Sequence, residues 1–511
     1  VLDHDRSTMS RSDRIALVFC PYFSIRSPHL GLARIYTALV NSGYEPDVFD
    51  LDTWLKDTDR LWYDQYVRAN NIGREFDRVT FILGLEVLLH ALYHRDAPQV
   101  PWAEILRTSP VLPVDGFEHF VSLAADRIGA AKYDFALFST YSSNLLFSTV
   151  LARELKRRSP IRIIFGGPGA GMPETTDFLL RTGFVDSVVV GEGEATIGDL
   201  LENWPTTGPP AEVPGVAILE GGDVRYLPRP LLDLDSLPAT TFPEAPQGYA
   251  PVETTRGCTM RCAFCSESQY WRTHRQRSVA VVVDEVNRLT RKHGPMHIEF
   301  VDSLVNPSQG RLHALTHGLI NARMPVDWTC DMRPAPWLTS DLAAQAFRAG
   351  CRSVNIGAET LIPRALEAMR KGTKVEWILD TTRHLSAAGI QPTVHRMCCA
   401  PGETDDEVLE MYALLRQFKK SISDARQWSR ITWGSPDILR VEPYSPMFRD
   451  PARWGIDLIP FHLPLPAEAA HLRGSLDAIC LHWTDGVPRE EKLRRHALIR
   501  RLDRVTGLVP G

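Results

Sequence analysis

The 511-residue sequence has little net charge and no hydrophobic run long enough to cross a bilayer. Its 57 Lys and Arg residues nearly balance 62 Asp and Glu residues, so its charge of −5 favours neither a nucleic-acid nor a membrane surface. The most apolar long stretch, residues 79–93, contains Glu86 and His90 and is shorter than the roughly 20 residues a bilayer requires. The polar first 13 residues lack a secretory signal pattern. We therefore predict a cytoplasmic protein without a nucleic-acid or membrane partner.

The sequence also lacks the evenly paired cysteines of a disulfide framework, because its nine cysteines are an odd number. Three of them, Cys258, Cys262 and Cys265, crowd into eight residues. Such crowding without a secretory signal indicates metal chemistry in a reducing compartment. The isolated cysteines have no ligand spacing and are expected in the core or in loops: Cys20, Cys330, Cys351 and Cys480.

Strand and helix patterns alternate over the first 200 residues, which predicts a doubly wound parallel α/β sheet. A longer-period stretch rich in Trp, Leu and Tyr predicts inserted amphipathic helices at about 53–129, packed against the next domain. We expect four segments: a first domain at 14–205, a linker with a hairpin at 206–249, a second domain at 250–445 and a C-terminal region at 446–511.

Small and hydroxyl-bearing residues follow three predicted strands of the first domain. Ligands of an open parallel sheet bind beyond the carboxyl ends of its strands. Each cluster alone is typical of an ordinary turn, but together they resemble the cobalamin-binding domain found in one class of radical S-adenosylmethionine (SAM) enzymes. The resemblance implies that the following residues bind cobalamin: Ser139, Tyr141, Ser142, Gly166, Gly167, Pro168, Gly191, Glu192 and Gly193.

The loop after the first predicted strand departs from other cobalamin proteins. They often carry an Asp-x-His-x-x-Gly motif whose histidine ligates cobalt, whereas this strand is followed by Cys20-Pro21-Tyr22-Phe23. His29 precedes Leu30-Gly31 at a spacing that does not match the motif. The resemblance therefore implies cobalamin without a protein histidine ligand, and we expect His29 to be a loop histidine.

The three crowded cysteines have C-x3-C-x2-C spacing, with Phe264 before the last cysteine. Thiolates are the usual ligands of a 4Fe-4S cluster, and three of them leave one iron open. This spacing resembles the radical SAM signature, in which the amino and carboxylate groups of SAM bind the open iron. The alternatives are a zinc site, for which His274 is the nearest imidazole, and three buried structural thiols.

About six strand-helix repeats follow the motif and resemble the partial (β/α)6 barrel of radical SAM enzymes. The site should then lie at the carboxyl ends of the barrel strands. The resemblance makes Glu359 a candidate for the SAM ribose or amino group, with Asp302 a weaker one. Arg333 and Arg396 are candidates for the SAM carboxylate, because a guanidinium matches a carboxylate in a bidentate manner. For either arginine, an ordinary ion pair is an equal alternative.

No motif assigns a catalytic residue, and Cys398, Cys399 and Tyr444 are the candidates. Strand side chains alternate in direction, so one of the two cysteines should point into the barrel as a hydrogen donor or redox thiol. Small hydrophobic filling is the favoured alternative. The tail that begins at Tyr444 is expected to cover the open side of the barrel and help form a substrate pocket, and its basic run at 489–504 is expected to be a solvated helix face.

The combined resemblance implies an enzyme that uses a 4Fe-4S cluster, SAM and cobalamin, with an electron donor such as flavodoxin or ferredoxin. The expected reaction is C-methylation of an unactivated carbon in a small-molecule or peptide natural-product precursor. Two alternatives stay open. One is a cobalamin-dependent radical SAM enzyme that oxidises, cyclises or rearranges its substrate, and the other is a non-catalytic cobalamin or redox sensor.

Overall fold

Two sheets organise the chain in the computed structural model. It describes residues 13–23, 28–72, 117–205, 210, 212–246, 248–434, 436–460, 467–479 and 481–508. Part of the predicted insert, residues 73–116, lies outside the described residues. Cys480 also lies outside them. The eight described cysteines are all free thiols. Among the described helices, none combines the length and the apolar character needed to cross a membrane.

The first sheet has seven strands in the order β2-β1-β3-β4-β5-β6-β7. Strands β1 to β5 are parallel, while β6 and β7 form an antiparallel hairpin that pairs with β5. We predicted this hairpin in the linker, but Val216–Ile218 are buried against the sheet, which therefore has an antiparallel edge. The strands are β1 Ile15–Phe19, β2 Asp47–Asp50, β3 Phe135–Ser139, β4 Arg162–Gly166, β5 Ser187–Val189, β6 Val216–Glu220 and β7 Asp223–Tyr226.

Helices cover both faces of the first sheet, and every residue of its inner strand β1 is buried. The described ends of the predicted insert do not pack against the next domain. They join the core of the first sheet, where Tyr66 lies 6.3 Å from Phe147 between ring centroids. The helices are α1 Leu30–Asn41, α2 Leu51–Thr58, α3 Arg60–Ile72, α4 Phe117–Ile128, α5 Leu145–Arg158, α6 Pro173–Arg181 and α7 Gly193–Glu202.

The second sheet is a curled half-barrel of six parallel strands in the order β8-β11-β12-β13-β14-β15, with β16 beside β14. The short strands β9 and β10 form a separate antiparallel pair. The bounds are β8 Tyr249–Val252, β9 Thr255–Arg256, β10 Arg275–Gln276, β11 Met296–Phe300, β12 Val326–Met332, β13 Cys351–Glu359, β14 Gln391–Cys398, β15 Thr432–Trp433 and β16 Asp437–Ile438.

Side chains of the half-barrel strands alternate between a helix-packed face and a concave face. In β12, Trp328 and Cys330 are buried in the core, while Thr329 and Asp331 face the opposite side. The helices are α8 Glu267–Tyr270, α9 Val279–His293, α10 Gln309–Ala322, α11 Ser340–Arg348, α12 Pro363–Ala368, α13 Val375–Ala387, α14 Asp405–Ser421 and α15 Ala425–Ser429.

The C-terminal region packs on the outside of the half-barrel and also on the first domain, where Ser475 donates a hydrogen bond to Asp177 of α6. It contains α16 Pro446–Arg449, β17 Asp457–Pro460, α17 Arg473–Ile479, β18 Leu481–Thr484 and α18 Arg489–Thr506. Helix α18 is not a solvated helix on all sides, because Lys492, Arg495 and Asp503 are buried. Asp503 pairs with Arg396 at 2.8 Å and thereby attaches the last helix to strand β14.

We expect Gly169→Ala to destabilise the first sheet. A Cβ atom at Gly169 would lie 2.5 Å from the carbonyl carbon of Tyr141, which is backbone and cannot move aside cheaply. The free energy of unfolding should fall by about 1–3 kcal/mol, measured by denaturant titration. The matched control is Gly310→Ala in α10, where a Cβ meets nothing within 4 Å. That variant should gain about 0.5–1 kcal/mol from helix propensity. Equal effects at both sites would contradict the close backbone approach.

Candidate functional site

Two large cavities lie where the carboxyl ends of the two sheets face each other. The first has a volume of about 460 Å³ and is lined by strand ends of both sheets. The second has a volume of about 630 Å³ and lies within the half-barrel. Asp331 and Asn355 line both cavities, which therefore adjoin at the end of β12 and the middle of β13.

The first cavity brings together almost all of the predicted strand-end residues. Ser142 is the exception, because it is exposed and lies outside the lining. The lining includes Ser139, Tyr141, Gly166, Gly167, Pro168, Gly191, Glu192 and Gly193. Gly191 would carry its Cβ into open space, so the backbone of this loop is accessible to a ligand. The cavity is a suitable cradle for a large ligand held mainly by backbone and small side chains.

His29 also lines the first cavity, although its sequence context predicted only a loop histidine. Its ring lies among Phe19, Phe23 and Tyr141, with centroid distances of 4.0, 4.6 and 5.0 Å. Burial among these rings lowers the pKa of His29 to about 3, so the imidazole is neutral. His29 is therefore a packed wall residue and not a mobile loop side chain.

The second cavity contains the cysteine motif. Cys258, Cys262 and Cys265 all line it, together with Phe264. Burial raises the pKa of each thiol above its ordinary value, so these thiols are protonated without a metal. The Met260 amide points at the Cys258 sulfur from 3.4 Å, as suits a sulfur that carries negative charge when metal-bound.

Backbone hydrogen bonds hold the cysteine loop against the half-barrel. Ala263 donates to the Met369 carbonyl at 2.8 Å and accepts from the Met447 amide at 2.8 Å. Gly257, directly before the first cysteine, has a φ of +79°. A Cβ there would lie 2.8 Å from the Thr273 carbonyl oxygen, so only glycine fits. The loop is thus preorganised by its neighbours.

The residues present fit an iron-sulfur cluster. Among the described residues, no three His, Cys, Asp or Glu side chains converge as the ligands of a single metal ion would. A 4Fe-4S cluster binds each thiolate through a different iron, so its ligands surround a volume and do not meet at one point. Three free thiols around one cavity have this arrangement.

Charged side chains on the concave face surround the cysteines. Lys371 pairs with Glu359 at 2.6 Å, and both line the second cavity. Burial by itself would lower the pKa of Lys371, but Glu359 and the nearby cysteines raise it above its ordinary value, so the amine is charged. Arg333 lines the same cavity and donates to the Met260 sulfur at 3.2 Å. Two predicted residues, Glu359 and Arg333, therefore lie where a ligand of the cysteine site would bind.

Two predicted SAM contacts have other roles. Arg396 borders the second cavity, but strand alternation turns its guanidinium to the helix face, where it pairs with Asp503 and Tyr412. Asp302 is buried and accepts hydrogen bonds from the amides of Thr254 and Thr255, each at 2.6 Å. It anchors the segment before the cysteine loop and lines neither large cavity.

The predicted catalytic candidates also lie outside the two large cavities. Cys398 and Cys399 are both buried, with their sulfur atoms 3.8 Å apart, because a φ of +61° at Cys399 interrupts the strand alternation. Tyr444 lines a separate cavity of about 90 Å³ beside Arg272. In the described part of the tail beyond Tyr444, no residue lines either large cavity, so the expected tail contribution to the pocket is not seen.

Asp331, Asn355 and Lys371 are among the lining residues that the sequence interpretation missed. Asp331 lies near the carboxyl end of β12 and Asn355 in the middle of β13, and the alternating pattern of each strand could have identified their face. Asn355 donates to Asp331 at 2.9 Å. Lys371 follows a short helix and no local pattern marks it.

A buried ion-pair network lines the first cavity and directly precedes the cysteine loop of the second. Arg256, directly before Gly257, is 4% exposed. It pairs with Glu192 and with Glu253, each at 2.7 Å, and also with Glu194. Glu192 accepts a further contact from Arg275 at 2.8 Å. Burial disfavours the charged form of Glu192, but these hydrogen bonds outweigh it and lower the pKa below its ordinary value.

Comparisons with known proteins match this arrangement. The family model of the radical SAM superfamily matches residues 252–415. An uncharacterized methyltransferase, PH0819, from Pyrococcus horikoshii is 28% identical over 259 residues, covering 48% of this chain and 56% of that protein. The anaerobic magnesium-protoporphyrin IX monomethyl ester cyclase of Cereibacter sphaeroides is 24% identical over 287 residues. This match covers 52% of this chain and 45% of the cyclase. The chain thus spans about half the length of these curated relatives.

The fold likeness extends over nearly the whole chain. The radical SAM methyltransferase TsrM from Kitasatospora setae, solved with tryptophan and a SAM analogue, has a TM-score of 0.65 at 16% identity. The match covers 96% of this chain and 89% of TsrM. Residues 252–415 therefore match the radical SAM superfamily, and the fold of the chain, a sheet domain before a half-barrel, is similar to that of TsrM. The family match and the fold likeness confirm the predicted resemblance to radical SAM enzymes and the predicted α/β fold.

Arg256→Met should strongly destabilise the contact between the two sheets. The substitution leaves Glu192 and Glu253 as buried carboxylates without their shared cation, which costs about 3–5 kcal/mol. The free energy of unfolding by denaturant should fall by that amount.

The control for this prediction is Arg288→Met, which breaks the exposed pair with Asp284 in α9. It should change stability by less than about 0.5 kcal/mol. A loss at Arg256 no larger than that of the control would contradict a stabilising role for the network.

Proposed function

We propose that this chain is a cobalamin-dependent radical SAM C-methyltransferase. The observation that carries the proposal is the adjoining pair of cavities, one lined by three free cysteines and the other by small strand-end residues. TsrM, which has this fold, has also been solved with cobalamin and a [4Fe-4S] cluster bound. Once bound, the cluster would supply the electron that cleaves SAM to a 5'-deoxyadenosyl radical, and cobalamin would supply the methyl group.

Cys258, Cys262 and Cys265 would hold the cluster in the second cavity, and Phe264 would shield it from water. Arg333 is suited to the SAM carboxylate, because its guanidinium lines the same cavity and is not committed to a carboxylate partner in the described residues. Glu359, whose carboxylate is held by Lys371, would accept from the SAM amino group or ribose. The work of these residues is to place SAM and exclude water.

The substrate would bind between the two cofactor sites. Asp331 and Asn355 form the shared wall, and Thr329 and Glu299 line the neighbouring part of the first cavity. These acceptors suit a small polar substrate with amine or hydroxyl donors. Asp331 would orient such a donor, because Asn355 occupies only one of its oxygens.

The boundaries and partners follow from the same proposal. The pairing of β6 with β5 supports ending the cobalamin-binding unit near residue 226 and not at 205. The radical SAM unit would run from about 250 to 445, with 446–511 as an outer support. An electron donor such as flavodoxin or ferredoxin would reduce the cluster in the cytoplasm.

A second candidate is a radical SAM enzyme that cyclises or oxidises its substrate without methylation. The cyclase of Cereibacter sphaeroides favours it, because that relative matches over 287 residues. The products distinguish the two. Methylation releases S-adenosylhomocysteine in addition to 5'-deoxyadenosine, whereas the second candidate releases only 5'-deoxyadenosine.

The experiment compares wild-type protein with Cys262→Ala and Cys351→Ala after reconstitution with iron, sulfide and cobalamin. Wild-type protein should form both SAM products, and its host, fed labelled methionine, should accumulate a metabolite that carries the labelled methyl group. Cys262→Ala should lose the cluster absorbance and all products. Cys351 is buried in the core away from both cavities, so Cys351→Ala should keep the cluster. Reconstituted wild-type protein that neither binds nor cleaves SAM would disprove the proposal.

Asp331→Asn should lower formation of the labelled metabolite about tenfold or more, because a hydrogen bond to a charged group is worth about 1.5–3 kcal/mol. Cluster and cobalamin contents should stay unchanged. Asp327→Asn is the control, since Asp327 lies at the amino end of the same strand and pairs with Arg352. Equal metabolite levels in the two variants would contradict a substrate contact at Asp331.

A further inference from the structure

The wall of the first cavity contains a buried nitrogen without a partner. His29 is 9% exposed, and its Nε2 atom has no hydrogen-bond partner among the described residues. An unsatisfied buried donor costs about 1–3 kcal/mol, so such groups usually serve a ligand or water. The residue lines the cavity that we assign to cobalamin.

The other ring nitrogen determines the tautomer. His29 is the N-cap of α1, and its Nδ1 accepts a hydrogen bond from the Leu32 amide at 3.0 Å. An accepting Nδ1 carries no proton, so the neutral ring carries its proton on Nε2. A nitrogen in that form is a donor and has no lone pair for a metal.

The surroundings prevent the ring from reversing these roles. Phe19, Phe23 and Tyr141 pack around the imidazole, and a flip would break the helix cap. The Nε2–H group is consequently fixed in position.

We propose that the Nε2–H group of His29 donates a hydrogen bond to an oxygen of bound cobalamin and that His29 does not ligate the cobalt. This inference rests on the proposed function, because it requires cobalamin in the first cavity. The acceptor is an oxygen from one of two sources. It is either a water on the cobalt or the carbonyl of a corrin side-chain amide, and the test below distinguishes them.

The test uses the reconstituted full chain and the variant His29→Asn. Asparagine keeps an N-cap acceptor but places no donor at the position of Nε2. The control is Thr339→Asn, the same type of cap exchange on α11, away from both cavities. Thermal melts of both variants should match wild type to within a few degrees, so that binding differences are not caused by unfolding.

We expect His29→Asn to bind cobalamin about tenfold more weakly than wild type, as the loss of one hydrogen bond predicts, and Thr339→Asn to bind like wild type. The electron paramagnetic resonance spectrum of reduced cobinamide, which lacks its own nitrogenous base, should show no nitrogen splitting in the wild-type complex. A spectrum that changes in His29→Asn would identify the acceptor as water on the cobalt. Weaker binding with an unchanged spectrum would identify a corrin amide.

Two results would overturn the inference while leaving the proposed function intact. One is nitrogen splitting in the wild-type cobinamide complex that responds to isotopically labelled histidine. The other is equal affinity and an equal spectrum for wild type and His29→Asn. Wild-type protein that binds no cobalamin would instead overturn the proposed function and this inference with it.

Discussion

The structure depends on one buried cation, Arg256. A guanidinium is always charged in a protein, so its burial requires carboxylates that stay in place. Two of its partners follow β5, Glu192 as the N-cap of α7 and Glu194 in its first turn, and the third, Glu253, follows β8. Because Arg256 is two residues from Cys258, this pairing sets the position of the cysteine loop relative to the first sheet. The two cavities are neighbours for that reason.

Further buried ions reinforce the same boundary between the sheets. Arg34 of α1 lies within 3.9 Å of Glu285 in α9, and Glu285 also pairs with Arg277 at 2.5 Å. Charges buried in this manner contribute more to a unique arrangement than to net stability, because desolvation offsets their attraction. The nearly balanced overall charge is therefore compatible with strong local fields. Several buried charges of the described residues, Arg34, Arg256, Arg277 and Glu285 among them, lie where the two sheets meet.

Local sequence patterns predicted most helices and strands. They did not predict contacts between residues that are far apart in the sequence. The cysteine spacing and the strand-helix repeats identified the half-barrel and the three thiols around one cavity. The hairpin at 216–226 was predicted, but hairpin chemistry does not determine which sheet edge it joins. Arg396 was a candidate for the SAM carboxylate because a guanidinium matches a carboxylate, yet it pairs with Asp503, which is 107 residues away. The alternation of side chains along β14 could have shown which way Arg396 points only if it were known which of the two alternating sets faces the helices.

The second cavity carries charges of both signs. Arg333 and Lys371 lie on the cysteine side together with Glu267, Glu359 and Glu442, whereas Asp331 lies at the boundary with the first cavity, near Glu299. Burial raises the pKa of Asp331, and the hydrogen bond from Asn355 opposes that rise and helps to hold its charge. A zwitterionic ligand such as SAM would place its carboxylate at Arg333, which has no carboxylate partner among the described residues. Asp331 at the boundary would then be available to a second molecule, which is the geometry that a reaction between two cofactor sites requires.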